Sequence, residues 1–144
     1  MRMLRTLLPL LALAGGGPAL ADQKEADTCL RTKIWSGYDD GWAVRTATSA
    51  DLGEGEHRIY LVTLYAGHEY KFQVCGDNQI DNVDLVLHDQ AGKELSRDAS
   101  SDREPVLTYK PQKTDTYYVA VYAADVSDQA KGAKAGVAMA VTYR

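Results

Sequence analysis

The sequence predicts an all-β fold, a jelly-roll-like antiparallel β-sandwich with a short N-terminal helix. Two observations carry this prediction. The stretch Arg58–Cys75, RIYLVTLYAGHEYKFQVC, holds two apolar runs either side of a break at Ala66-Gly67-His68. About eight such runs recur along the chain, separated by Gly, Asp, Asn and Pro at regular spacing. In the second run of the central stretch, Tyr70, Phe72 and Val74 fall on one face, and Glu69, Lys71 and Gln73 on the other. That period of two marks a strand with one buried face. In the first run, Ile59 to Tyr65, both faces are apolar. This predicts a strand in the middle of a sheet that is covered on both sides.

The remaining elements follow in chain order. Met1 to Arg5 is a positive start, Thr6 to Ala14 a short apolar run, and Ala19-Leu20-Ala21 a small-x-small site. Residues 1–21 therefore read as a secretory signal peptide cut after Ala21, which leaves residues 22–144 as the domain. The apolar run is too short to span a bilayer, which takes about 20 residues. Cys29 lies too far from the cut to carry a lipid, and no second hydrophobic segment follows. Asp22 to Ile34 is helix-tolerant, with Ala26, Leu30 and Ile34 four apart. Trp35 to Trp42 reads as a turn-rich aromatic segment. Trp42, Val44 and Thr46 alternate as a strand, and Leu52 to Glu56 is a turn. After Gly76-Asp77-Asn78, a strand holds Val83, Leu85 and Leu87. A hairpin-type turn at Asp89–Gly92 leads into Lys93–Leu95. Val106–Tyr109, Thr116–Ala123 and Val137–Tyr143 complete the strands, with polar loops at 96–104 and 125–133.

Composition narrows the function. The chain carries −4 overall. Removing the leader with Arg2 and Arg5 leaves 14 basic against 20 acidic residues, or −6. An acidic surface argues against nucleic acid and anionic membranes as partners. The two cysteines, Cys29 and Cys75, read as a disulfide of an exported protein, pinning the N-terminal segment onto the sheet.

The order of motifs resembles a known family. Leu52-Gly53-Glu54-Gly55, Tyr60, Val62-Thr63-Leu64, Ala66-Gly67 and Tyr70-Lys71-Phe72 come first. Val83–Leu87, Asp89–Leu95, Thr114–Val119 and the closing run from Gly136 to Val141 follow. Together they resemble the bacterial pre-peptidase C-terminal (PPC) domain family, from Ala43 to Tyr143. The resemblance implies a jelly-roll-like sandwich. It also implies a non-catalytic accessory role beside exported enzymes, with calcium in some relatives. The chain reads as a stand-alone exported member.

Several residues are candidates for chemistry. Trp35, Tyr38 and Trp42, with Asp39 and Asp40 between them, offer stacking faces and acceptors for a ligand. The ordinary alternative is a plug at one end of the sandwich. Asp81, Asp84, Asp98 and Asp102, with Asp77 and Glu104, are calcium candidates, because loop carboxylates supply the oxygens calcium takes. The alternative is a solvated acidic rim. His57, His68 and His88 and the serines at 96, 100 and 101 form no recognisable nucleophile motif, so no catalytic residue is assigned. The sequence thus predicts a non-catalytic periplasmic or secreted module that contacts a protein or polysaccharide through loops and exposed aromatics. It needs no cofactor, and it does not insert into a membrane. The other readings are a structural or stress-related envelope protein, a calcium-dependent binding module, and a hydrolase with a loop-built site.

Overall fold

The computed structural model describes residues 21–128 and 131–144. The leader read in residues 1–21, Ala21 apart, lies outside the described residues. One helix and eight strands are described: α1 (Gln23–Tyr38), β1 (Ala43–Gly53), β2 (His57–Leu64), β3 (Tyr70–Gly76), β4 (Ile80–His88), β5 (Glu94–Asp98), β6 (Val106–Tyr109), β7 (Asp115–Val126) and β8 (Lys134–Tyr143). They form two four-stranded sheets, ordered β1-β8-β3-β6 and β2-β7-β4-β5. Every pairing is antiparallel. This is the jelly-roll arrangement that the sequence predicts.

The core lies between the sheets. Leu64, Tyr70, Phe72, Val74, Val83, Leu85, Leu87, Val119 and Val121 are all buried there. Each sits at every second position of its strand, so alternation alone delivers them to one layer.

The two runs of the central stretch are not partners. β2 pairs with β7 in one sheet, and β3 pairs with β8 and β6 in the other. The break between them is a corner from sheet to sheet. There the Tyr65 amide donates to the Tyr70 hydroxyl (2.8 Å), and Gly67 takes a positive φ of 89°. Nor is β2 central: it is the edge of its sheet, and its outer face is open. By contrast β4 and β5 form the expected hairpin. The Lys93 amide donates to the Asp89 carboxylate (2.8 Å), and Gly92 adopts a φ of +84°.

The helix begins where expected and runs further. Asp22 caps it, its carboxylate accepting from the Glu25 amide at 2.9 Å. Ala26 and Leu30 bury against Cys75, Ala138 and Ala140 on the outer face of the β1-β8-β3-β6 sheet. That face of β8 presents Gly136, Ala138 and Ala140, small enough to let a helix backbone approach. The segment read as a turn from Trp35 is helical to Tyr38, and the chain turns only at Asp39–Gly41. Packing explains the extension. Gly37 is buried against Trp42 and the Lys71 side chain, and a Cβ added at Gly37 would lie 3.6 Å from the Trp42 Cβ. Tertiary contact overrides the weak helix propensity of glycine.

The disulfide between Cys29 and Cys75 is present, with sulfurs 2.05 Å apart, and it ties α1 to β3. Among the described residues no helix is long and apolar enough to cross a membrane.

Candidate functional site

The helix covers one sheet, and the outer face of the β2-β7-β4-β5 sheet carries no such cover among the described residues. Directly opposed residues of paired strands share a face. The registers therefore lay out this face in rows. His57, Tyr122 and Asp84 make one row, and Ile59, Ala120, Val86 and Arg97 the next. Leu61, Tyr118 and His88 make the third, with Glu94 beyond His88. Ile59 is 49% exposed and Leu61 is 66% exposed, although both belong to a strand whose other face is core. Ala120 and Val86, in the middle of these rows, are each 1% exposed. The His57 ring lies against Tyr122, with centroids 5.1 Å apart.

One side of this platform is therefore apolar and aromatic, and the other is polar. On the polar side Arg97 pairs with Glu94 at 2.6 Å. The hydrogen bond from Arg97 holds the Glu94 carboxyl below the usual range. Three side-chain atoms of β4 residues (Asn82 Oδ1, Asp84 Oδ1 and His88 Nδ1) are buried without a hydrogen-bond partner among the described residues. Polar atoms of this kind normally find partners.

The aromatic segment read in the sequence divides. Trp35 and Tyr38 project from the end of α1, 71% and 65% exposed, with their rings edge to face at 6.2 Å. Trp42 is buried. The Lys71 ammonium lies 4.2 Å from its ring centroid and the Arg144 guanidinium 4.5 Å. Burial draws Lys71 below the ordinary lysine range, and the neighbouring Asp40 opposes that shift. The charge stays near an indole face that attracts it. Trp42 therefore packs beside Gly37 at the end of α1 and against Lys71 of β3, while Trp35 and Tyr38 remain in solvent. Asp39 and Asp40 are exposed, and the Asp40 carbonyl accepts from Arg144 at 3.4 Å.

Among the described residues the acidic candidates bring no three carboxylates together, although the Ser100 hydroxyl lies within hydrogen-bond reach of both Asp98 and Asp102. Asp81 is exposed, and Asp84 lies half-buried on the open sheet face. Asp98 accepts from the amides of Ser100 (3.0 Å) and Val106 (2.9 Å), and Asp102 accepts from the Glu104 amide (2.7 Å). These two carboxylates order their own loop. The loop does reach β4, because the Val83 amide donates to the Asp102 carbonyl (2.9 Å). Even so, among the described residues only Cys29, Cys75 and Glu104 bring three potential ligand atoms within 4.8 Å of one another. Two of those atoms are the sulfurs of the disulfide. We expect the melting temperature to be the same in EDTA and in excess Ca²⁺. A rise with Ca²⁺ would assign the loop carboxylates to a metal.

Asp77 is buried and is a structural hub. Its carboxylate accepts from the backbone nitrogens of Asp22 (2.7 Å), Gly136 (2.8 Å) and Gln79 (2.9 Å). Sequence reasoning places it only among loop acids. It misses the open sheet face altogether, although Ile59 and Leu61 on a strand apolar on both sides are the signal.

Comparison with known proteins adds the fold. No family model matches the chain, and no curated protein matches it in sequence. Among solved structures, one similar fold is PliG of Aeromonas hydrophila, a periplasmic lysozyme inhibitor of g-type lysozyme. It is 12% identical, with a TM-score of 0.52 over 71% of this chain and 88% of that one. The pre-peptidase C-terminal domain of a collagenase from Bacillus anthracis is 17% identical. Its TM-score is 0.47 over 68% of this chain and 89% of the domain. At such identities the likeness to PliG speaks for a shared sandwich fold.

Proposed function

We propose that this protein is a non-catalytic exported module that binds a protein partner across the open face of the β2-β7-β4-β5 sheet. The observation that carries this reading is the exposure of Ile59 and Leu61 beside Tyr118 and Tyr122. A strand that is apolar on both faces and covered on one keeps its second face for another molecule. Aromatic residues next to aliphatic ones are the composition of an interface centre. The net negative charge favours a basic partner through steering. PliG, similar in fold, inhibits g-type lysozyme. A g-type lysozyme is therefore the first partner to try.

The test places a photo-cross-linking amino acid at position 61 and, separately, at position 35, in intact cells. One dominant protein adduct from position 61 supports the reading. An adduct from position 35 alone moves the site to the exposed Trp35–Tyr38 pair. Adducts only with further copies of this chain support a structural envelope role instead. Leu61→Asp is expected to leave stability within about 0.5 kcal/mol, as exposed substitutions do, while abolishing capture of that partner.

A further inference from the structure

We propose that cleavage after Ala21 does more than release a leader: the new α-ammonium of Asp22 becomes the counter-ion of the buried Asp77 carboxylate. The inference goes beyond the binding role, and it takes from that reading only that the chain is exported and processed.

Asp77 is 0% exposed. No lysine, arginine or histidine side chain pairs with its carboxylate among the described residues. Arg103 approaches but donates to the Asp77 backbone carbonyl, at 3.0 Å. A buried carboxylate without a cation is costly, and neutral N–H donors offset only part of that cost. The shortest of its contacts is the one to Asp22 N, at 2.7 Å. The position is built for that nitrogen. A Cβ on Gly136 would come 2.6 Å from the Asp22 carbonyl carbon and 2.7 Å from Gln23 N. Glycine at 136 thus admits the backbone of Asp22 to the carboxylate.

While the leader is attached, Asp22 N is a neutral amide. Hydrolysis by a leader-cleaving peptidase adds one water across the Ala21–Asp22 bond. Ala21 leaves as a carboxylate, and Asp22 keeps the amine, which takes up a proton. Its ordinary pKa is about 7.7–8.0, so it is mainly charged at neutral pH. Removing the leader therefore places a positive charge against the buried negative one, at a contact the backbone already makes.

The experiment uses the exported protein purified from cells. Intact mass is expected to show a chain beginning at Asp22. A different first residue would overturn the cleavage position without touching the binding reading. Limited acetylation is then followed by mass spectrometry. The α-amine is expected to react at least ten-fold more slowly than surface lysines in the folded protein, and to lose that protection in urea. Equal reactivity in the folded protein would overturn the ion pair. Asp77→Asn is expected to unmask the amine. Should that variant fail to accumulate, a chain carrying one added alanine before Asp22 gives an independent reading. Its folding equilibrium constant in urea is expected to fall on the order of ten-fold or more. An unchanged constant would sink the proposal.

Discussion

Replacing both Cys29 and Cys75 with alanine is expected to lower the stability of the protein by about 4 kcal/mol. The bridge spans a sequence separation of 46, and closing a loop of that length removes this much free energy from the unfolded state. Few other contacts do the same work. α1 presents only Ala26, Leu30 and Gly37 as fully buried residues. A helix of 16 residues is marginal in water when it is not held down. The loss should therefore appear first in the helix, as unmasking of Ala138 and Ala140 under it. Urea unfolding followed by circular dichroism measures the total. A double variant within about 1 kcal/mol of the wild type would mean that the helix is held by packing alone.

Phe72→Ala is expected to cost about 3–5 kcal/mol, the range for truncating a buried aromatic. Phe72 is 0% exposed and is the single phenylalanine of the chain. It stands opposite Leu107 on one side and Val141 on the other. Removing it opens a void that neighbours on three strands cannot all fill. Leu61→Ala, a truncation of similar chemistry on the open face, should cost a small fraction of that. The ratio of the two, read in the same urea experiment, separates core from platform. Comparable losses would mean that Leu61 is covered in solution by something already bound.

Most strands are legible in the sequence because alternation is a local property; β1 runs on to Gly53 through residues that read as a turn, and β5 to Asp98 through residues that read as a loop. Tyr70, Phe72 and Val74, or Val83, Leu85 and Leu87, announce a buried face whatever lies opposite. Their partners are not legible. Tyr60 sits across from Val119, and Thr48 from Met139. Nothing within a window of ten residues encodes such a pairing. β2 shows the limit most plainly. Two apolar faces imply two covers, and the sequence does not say whether the second cover belongs to the same chain. The helix end is hidden for a similar reason: Gly37 signals a stop until Trp42 packs against it. The buried indole of Trp42 and the exposed one of Trp35 look alike in one dimension. What distinguishes them is the approach of Lys71 and Arg144 from a distant part of the chain.

The strand order also bears on how the molecule comes into being. Leave out β7 and β8, and the remaining six strands retain only two neighbouring pairs, β3 with β6 and β4 with β5. The two segments late in the sequence are those that knit both layers together. A nascent chain must therefore stay largely unknit until its final quarter has emerged.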